Sequence, residues 1–478
     1  APAGVISGGA ISVSQGTRRG FVRLSQAGAT TSPGALVAYR VRGLLEGGAK
    51  TPISGVTSGR RVVGALTTTW QRSAGATATG FATIPGAVAV VGYDDVAAPS
   101  SGEKRWYQAL LSAAGAEARV LGPTEGWRLA FVMVDGSGGE YGNTCALTPQ
   151  GTYWCWGEIH SLMLGVADNG NWYHPPAPGV MPAGTVFSQL AGARDPYTEG
   201  HSFNCALSAP DLWCWGENTF GSLGDGTFAA RGAPVRVTGL AAGAVAFGVS
   251  QGGAHVCAVV ASSGRVQCWG NNSHRQLGRA TPQDRSATPV TVATASGTDL
   301  TTIVEVKAGG WHSCGRRSNG TVACWGDNGA GALGGGQSGD RVVDTVAGLT
   351  GVVELWLGAA HSCARLQAGT VKCWGSGASG YLGNGLTENR TAPVTVLGVS
   401  NAVQVNADCA RGGDGSVRCW GGAFGATPVL WQGLTGATWV GSAHGGRLRS
   451  RDARCVILDG GVRCWDGPSQ APYDLEFP

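Results

Sequence analysis

Cysteine has the most regular spacing of any reactive residue type in this chain of 478 residues. Its fourteen cysteines form seven pairs whose members lie 9 to 11 positions apart. The pairs are Cys145 and Cys155, Cys205 and Cys214, Cys257 and Cys268, Cys314 and Cys324, Cys363 and Cys373, Cys409 and Cys419, and Cys455 and Cys464. An even count with a recurring spacing is typical of disulfides formed in an oxidising compartment. Zinc ligands usually come as close C-x2–4-C pairs, which are absent here, so we expect no metal.

Three histidines, His255, His312 and His361, each lie two residues before a cysteine. On a strand, such residues share one face, and a ring of metal ligands around a channel is one interpretation. The cysteines are already assigned to disulfides, and buried polar groups normally find partners, so we favour imidazoles that bond to neighbouring backbone. The sequence also lacks a G-x-S-x-G elbow, an H-E-x-x-H motif, a P-loop and a calcium loop. We expect neither catalysis nor a cofactor.

Tryptophan recurs together with cysteine, because a tryptophan follows the second cysteine of every pair. These residues are Trp156, Trp215, Trp269, Trp325, Trp374, Trp420 and Trp465. The first and the last are 309 residues apart, so the six intervals average 51.5 residues. A period near 50 in strand-like sequence indicates the blades of a propeller. The tryptophans could form a ladder for aromatic or carbohydrate ligands, but a repeated position inside a strand favours packing between blades.

Residues 303–326 show the plan of one unit. Residues 303–307 alternate as a strand, and residues 312–316 and 321–325 are strands on either side of the turn Ser318-Asn319-Gly320. Pro-x-x-Val segments, such as residues 393–396, supply a fourth strand. The paired cysteines flank the hairpin turn, where matched Cα atoms of antiparallel strands are about 4.5–5.5 Å apart. That separation suits a disulfide, so each pair should close its own hairpin.

The units AGGWHSCGRRSNGTVACWGDNGAGALG and GAAHSCARLQAGTVKCWGSGASGYLG resemble the regulator-of-chromosome-condensation repeat. That family forms a seven-bladed β-propeller, and the resemblance covers residues 127–478, with units one, six and seven degenerate. Residues 471–478 are similar to the fourth strand, and we expect them to complete one blade together with residues 127–134. The family's best-known activity is nucleotide exchange on a nuclear GTPase. A reducing compartment would not preserve seven disulfides, so we do not expect that activity here.

Residues 1–125 contain no cysteine and no repeat. Short runs rich in Thr, Val and Ala alternate with Gly, Ser and Pro turns, which predicts a β-sandwich or jelly roll. Residues 68–134 are similar to tumour-necrosis-factor-like jelly rolls, which often trimerise. A change of composition at Gly122-Pro123-Thr124 marks the boundary. We expect residues 1–125 to anchor the protein or to form a homo-oligomer, such as a trimer, or a polymeric assembly.

Composition limits the class of protein. Hydrophobic residues make up 43% of the chain, which excludes disorder, and no apolar run is long enough for a membrane helix. A net charge of +4 gives no basic patch for nucleic acid. The sequence therefore predicts an all-β protein, a sandwich followed by a propeller with one disulfide per blade. Its predicted function is non-catalytic recognition of a protein or surface glycan by a secreted or surface-exposed protein.

The predicted recognition loop is a long insert after unit one that contains Trp172 and Tyr173. An exposed Trp-Tyr pair is typical of binding sites, although it could equally pack against the N-terminal domain. The alternative function is a structural subunit of an extracellular fibre, an appendage or a viral or phage spike. An exchange factor or an enzyme with its site in the channel mouth is a less favoured interpretation, because no constellation of residues supports it.

Overall fold

The computed structural model describes residues 131–475, and before residue 131 it describes backbone strands alone. Within residues 131–475 the gaps are 137–142, 159–172, 194–202, 251, 280–283, 295, 337–338, 340, 407, 433, 443–453, 459 and 466–472. The chain divides into two units, residues 1–130 with 476–478, and residues 131–475. The roles that the sequence suggests for residues 1–125 and for residues 127–478 stay predictions.

The structure describes ten strands in the first unit. They are β1 (Ile11–Gly16), β2 (Phe21–Ser25), β3 (Leu36–Tyr39), β4 (Val41–Gly43), β5 (Thr57–Arg60), β6 (Thr67–Arg72), β7 (Ala82–Val88), β8 (Gly92–Tyr93), β9 (Lys104–Ser112) and β10 (Arg119–Trp127). They form sheets of order β4-β1-β2-β8 and β10-β9-β6-β7, with β3 paired to β5. The side chains of these strands lie outside the described residues, so the sandwich or jelly roll stays a prediction.

The second unit is a seven-bladed propeller, and each blade is a four-stranded sheet whose strands follow chain order. Blades one to four consist of β11 (Met133–Gly136), β12 (Asn143–Leu147), β13 (Tyr153–Glu158) and β14 (Tyr173–Pro178); β15 (Gln189–Gly192), β16 (Phe203–Ser208), β17 (Asp211–Gly216) and β18 (Arg231–Arg236); β19 (Ala244–Val249), β20 (His255–Val260), β21 (Val266–Asn271) and β22 (Arg285–Thr291); and β23 (Ile303–Ala308), β24 (His312–Arg317), β25 (Val322–Gly326) and β26 (Arg341–Thr345).

Blades five to seven consist of β27 (Val352–Leu357), β28 (His361–Leu366), β29 (Val371–Gly375) and β30 (Arg390–Thr395); β31 (Ala402–Asn406), β32 (Cys409–Gly412), β33 (Val417–Cys419) and β34 (Val429–Leu430); and β35 (Trp439–Ser442), β36 (Arg454–Leu458), β37 (Gly461–Trp465) and β38 (Tyr473–Asp474). Among the described residues, two short 3-10 turns lie at Ala378–Gly380 and Gly422–Phe424. The described part of the chain has no α-helix, and a search of it for a helix suited to spanning a bilayer finds none.

Within residues 471–478, β38 is the fourth strand of blade seven, as the sequence suggests, but the expectation that it shares a blade with residues 127–134 was wrong. β38 pairs with β37 of its own blade, and β11 pairs with β12 as the first strand of blade one. Blades seven and one are joined side by side instead. The indole Nε1 of Trp439 donates to the carbonyl oxygen of Val134 at 2.9 Å, and the Phe131 amide donates to the carbonyl oxygen of Gly460 at 2.9 Å.

Each blade carries one disulfide between its second and third strands, as the sequence predicts. The seven bonds join the predicted pairs, and the Cα atoms of each pair are 4.0 to 4.1 Å apart. This separation is shorter than expected. Arg317 and Thr321 form a hydrogen-bonded pair next to the turn, so the alternation along the ladder puts Cys314 and Cys324 at a non-hydrogen-bonded position, where strands approach closely.

The Cys-Trp motif has a packing explanation. Trp325 of blade four packs in one cluster with the Cys257–Cys268 disulfide of blade three, and the same contact recurs from blade to blade at the other five interfaces that join blades one to seven. All seven tryptophans are 0% exposed. The following glycine is required by the backbone: Gly326 has φ +106°, and a Cβ there would lie 2.5 Å from the carbonyl oxygen of Trp311. The repeated tryptophans are therefore core residues and not a ligand ladder.

Candidate functional site

The first strands of all seven blades surround a central channel with a cavity of about 660 Å³. The third position of these strands holds a polar side chain in blades four, five and six: Glu305, Glu354 and Gln404. Glu305 accepts from Nε of Arg316 in its own blade at 2.8 Å and from the Leu355 amide of the next blade at 3.2 Å. The Glu305 carboxylate therefore links the first two strands of blade four to each other, and it also links blade four to blade five.

The same link recurs in the next two blades. Glu354 accepts from Nε of Arg365 at 2.7 Å and from the Val405 amide at 3.1 Å. Gln404 accepts from Nε of Arg411 at 3.3 Å and from the amide of the following blade at 3.1 Å. Burial raises the pKa of Glu354, against the opposing effect of Arg365. These side chains are held by hydrogen bonds on both sides, so they form a structural wall and not a set of free acids and bases.

Valines surround one mouth of this channel. Val245, Val304, Val353 and Val403 each lie at a β-bulge, where the register of the first strand shifts by one residue. A bulge redirects its side chain, and Val245, Val304 and Val353 line the channel cavity. Val245, Val304 and Val403 are 47%, 42% and 43% exposed, and Val132, directly before β11, is 47% exposed. We call these five residues, Val132, Val245, Val304, Val353 and Val403, the valine ring.

The three histidines lie in a buried layer between blades. Nε2 of His255 lies 2.8 Å from Oγ of Ser313, and Nε2 of His312 lies 2.8 Å from Oγ of Ser362. Nε2 of His361 lies 2.7 Å from Oδ1 of Asp408. Each imidazole reaches a side chain of the following blade. The expectation of a backbone partner holds only for His255, whose ring also faces the backbone of Gly253 and of His312. Serine or aspartate directly before the next cysteine provides that partner, and this signal was readable in the sequence.

Serine, histidine and aspartate are the components of a hydrolytic triad, but here they form separate pairs. Ser362 bonds to His312, whereas Asp408 bonds to His361. All four side chains are at least 95% buried, which leaves no path for a substrate. Burial, followed by the neighbouring imidazole of His361, lowers the pKa of His312 to about 3, so the ring is neutral at physiological pH. The pairs therefore stabilise the contact between blades.

His361, Cys363 and Asp408 place one potential metal ligand atom each within 4.8 Å of one another. The sulfur of Cys363 is bonded to Cys373, and Asp408 also faces Nη2 of Arg454 at 3.6 Å. A disulfide sulfur is not a thiolate ligand, and a guanidinium already balances the carboxylate. This cluster is therefore a buried ion group that joins blades five, six and seven.

The predicted recognition loop is only partly described. Tyr173 begins β14, but its side chain lies outside the described residues, as does the whole of Trp172. Recognition by this loop stays a prediction. The sequence analysis did not find the valine ring or the Glu–Arg links, although glutamate recurs at the same place in two successive units, Glu305 and Glu354, and valine precedes each of them.

Sequence comparison agrees with this geometry. A family model described as "Regulator of chromosome condensation (RCC1) repeat" matches residues 211–259 and 263–315, and a second model of that repeat matches residues 303–332. Residues 211–332 therefore match the RCC1 repeat. These matches lie in blades two, three and four, and the disulfide in each blade extends the same plan around the ring.

Several proteins with RCC1 repeats are similar to part of the chain. The E3 ubiquitin-protein ligase HERC2 of Mus musculus is 30% identical over 207 residues, which is 43% of this chain and 4% of the ligase. The ultraviolet-B receptor UVR8 of Arabidopsis thaliana is 28% identical over 188 residues, 39% of this chain and 40% of the receptor. The chain thus spans less than half the length of these relatives, and the ligase and receptor activities are those of the named proteins.

Two solved structures share the fold. Prp20p of Saccharomyces cerevisiae superposes with a TM-score of 0.54 and 20% identity, covering 66% of this chain and 80% of Prp20p. Human WBSCR16 superposes with a TM-score of 0.53 and 17% identity, covering 79% of this chain and 97% of WBSCR16. At this level of identity the likeness is one of fold alone.

Proposed function

We propose that this protein is a non-catalytic recognition protein that binds a protein partner at the valine ring and works in an oxidising environment, secreted or exposed on a surface. The observation that carries the proposal is the valine ring. Four of its members are more than 40% exposed around one channel mouth. Apolar side chains grouped on a surface mark interaction sites more often than chance exposure does.

The wall below the ring favours binding over chemistry. Glu305 and Glu354 are each paired with an arginine and with a backbone amide. Groups that already hold partners on two sides are poor proton donors or acceptors for a substrate, but they keep the mouth rigid. A rigid apolar rim limits the conformational entropy lost when a protein docks. A protruding apolar loop is the kind of partner surface that fits such a mouth.

The compartment is inferred from the cysteines. All fourteen are in disulfides and fully buried, and reducing compartments do not usually preserve such bonds. RCC1 propellers elsewhere serve recognition: Prp20p of Saccharomyces cerevisiae has been characterised for its binding to Gsp1p and histones, and UVR8 is a receptor. These precedents support a protein partner of some kind, and the oxidising environment argues for a partner outside the cytosol.

Site-specific photocrosslinking tests the proposal. The photoreactive residue p-benzoylphenylalanine replaces Val304 or Val403 in the full chain, which is then irradiated on the cells that make it or in their medium. Val429, 41% exposed on the outer strand β34, is the matched control. We expect one discrete protein adduct from both ring positions and none from Val429. Equal adducts from all three positions, or adducts from Val429 alone, would overturn the assignment of the ring as the docking surface.

The compartment has its own test. Cell fractionation should find the protein outside the cytosol. A thiol-reactive label, applied after denaturation without a reductant, should modify none of its cysteines, which are buried in the folded chain. A cytosolic protein with labelled thiols would contradict the oxidising environment without bearing on the valine ring.

A further inference from the structure

A second candidate site lies away from the channel, between the outer parts of blades two and three. Phe220, Phe228, Asn271, Ser273, Asp284 and Arg285 line a cavity of about 620 Å³ there. Small-molecule sites usually occupy about 300–1,000 Å³ and combine apolar walls with a few polar groups. We call this cavity the Phe228 cleft.

The repeat itself shows that Phe228 is not required by the fold, whereas Phe220 also packs against the core between blades two and three. Phe228 lies five residues after the leucine of the Leu-Gly step, a place that holds Pro282, Ser338 and Thr387 in blades three, four and five. Phe220 lies three residues before the same leucine, where His274, Ala330 and Ser379 stand in those blades. Blade two thus departs from the plan twice, and both departures line one cavity.

The position of Arg285 is a third departure from the plan of the repeat. In blades two, four and five an arginine pairs with the glycine that follows Cys-Trp, as Arg390 does with Gly375. In blade three Ser286 takes that place, and Arg285 pairs one residue earlier, opposite Asn271. Its guanidinium carbon lies 4.4 Å from the ring centroid of Phe228. Nη1 donates to the Thr219 carbonyl oxygen at 2.8 Å, which fixes the guanidinium in place.

The polar groups of the cleft offer both donors and acceptors. Asn271 is 9% exposed, and its Oδ1 accepts from the Ser273 amide at 2.9 Å. Its Nδ2 has no partner among the described residues and is left as a donor at the cavity wall. The carboxylate of Asp284 is exposed, and its backbone is held by the Asn272 amide. Phe228 itself remains 48% exposed although the guanidinium lies over its ring.

We propose that the Phe228 cleft binds a pyranose ring of a neutral glycan. The C–H face of a pyranose stacks on an aromatic ring, which removes apolar surface from water. Its hydroxyl groups are donors and acceptors together, as are Asn271, Ser273, Asp284 and Arg285 around the ring. The opposite charges of Asp284 and Arg285 balance, so the cleft favours a neutral sugar over an anionic one. This site is separate from the valine ring and does not depend on the proposed protein partner.

Saturation-transfer NMR on the full chain tests the proposal with four named probes: glucose, galactose, mannose and N-acetylglucosamine. We expect at least one to receive saturation and to bind with a millimolar Kd by calorimetry. Phe228→Ser introduces the residue that blade four has at this position, so the variant should fold. It should weaken binding about tenfold or more, as the loss of one stacking contact does. Thr387→Ala, at the equivalent place in blade five, is the control and should leave Kd unchanged.

Two outcomes would overturn the proposal. The first is no saturation transfer to any of the four sugars. The second is binding that Phe228→Ser leaves intact, which would place the sugar elsewhere. The photocrosslinks from Val304 test the proposed function separately, so the two proposals can fail independently.

Discussion

At the scale of single residues, the recurring Cys-Trp pair is explained by one contact. Six of the seven tryptophans cover the disulfide of the preceding blade, and several also bond to that blade through the indole nitrogen. Nε1 of Trp325 donates to the Gln276 carbonyl oxygen at 3.0 Å, and Nε1 of Trp374 donates to that of Ala332 at 2.8 Å. The sequence predicted that these tryptophans pack between blades. It could not show that their contact surface is a disulfide, because that needs the order of blades in space.

Trp325→Ala should lower the free energy of unfolding by about 3–5 kcal/mol, because it opens a cavity against the Cys257–Cys268 disulfide and removes the indole donor of the buried Gln276 carbonyl oxygen. Urea unfolding followed by fluorescence measures the change. Phe228→Ala, which removes a half-exposed aromatic residue, is the control, and its loss should stay under about 0.5 kcal/mol. Equal losses in both variants would contradict the core position of Trp325.

His312 should make the protein less stable in acid. Burial, then the charge of a neighbouring histidine, lowers its pKa from 6.5 to about 3 in the folded chain. As the pH falls below about 6.5, the unfolded chain takes up a proton that the folded chain does not. Stability is therefore complete above pH 6.5 and is lost toward pH 3, by about 1.4 kcal/mol per pH unit.

The variant His312→Gln tests this pH dependence, because its amide nitrogen can still donate to Ser362 but does not titrate. The free energy of unfolding, measured by urea denaturation from pH 7 to pH 4, should fall less steeply for the variant, by about 1.4 kcal/mol per pH unit. The other titrating groups are the same in both proteins and cancel in the comparison. Identical slopes would contradict a neutral, buried His312.

At the scale of elements, the sequence predicted four strands per blade, the hairpin turns and all seven disulfide pairs, because turn residues, strand alternation and cysteine spacing are local signals. It did not predict the β-bulges at Val245, Val304, Val353 and Val403, since a bulge is a property of two paired strands. It placed residues 471–478 in a shared blade with residues 127–134, whereas β38 pairs within its own blade. Which strand closes a ring depends on long-range pairing.

The stability of the contact between blades five and six should depend on the acceptor oxygens of Glu354 and not on its negative charge. Glu354→Ala removes the acceptor of Arg365 and of the Val405 amide, which should cost about 1–3 kcal/mol of unfolding free energy. Glu354→Gln keeps a carbonyl oxygen, as Gln404 does at the same place in blade six, and should cost less than about 1 kcal/mol. Chemical denaturation measures both. A glutamine variant as unstable as the alanine variant would show that the ion pair itself carries the stability.

At the scale of the whole molecule, stability comes from a ring of similar contacts. Every pair of neighbouring blades is joined by a hydrogen bond. Between blades two and three, Nε1 of Trp269 donates to the Ser222 carbonyl oxygen. Between blades seven and one, Nε1 of Trp439 donates to the Val134 carbonyl oxygen. Each blade is also closed by a disulfide over about ten residues, which contributes roughly 2–3 kcal/mol in the chain-entropy estimate. A glycine-rich chain that loses much backbone entropy on folding needs this covalent support.

Assembly is the property that the sequence assigns to residues 1–125. Only 13% of the chain is charged, and residues 1–125 are strand-rich without cysteine, so a small domain of this composition leaves apolar patches on its surface. Such patches favour self-association. We therefore expect sedimentation velocity to give an oligomer, such as a trimer, for the full chain and a monomer for residues 131–475 alone.

The opposite result would change the interpretation of the valine ring. If residues 131–475 associate by themselves, the ring is buried between copies of the propeller and is not free for another protein. Val304→Asp would then return that fragment to a monomer, because a carboxylate is costly to bury in an apolar contact. If the full chain associates and Val304→Asp leaves its mass unchanged, assembly and recognition occupy different surfaces, and the channel mouth stays open in the assembled protein.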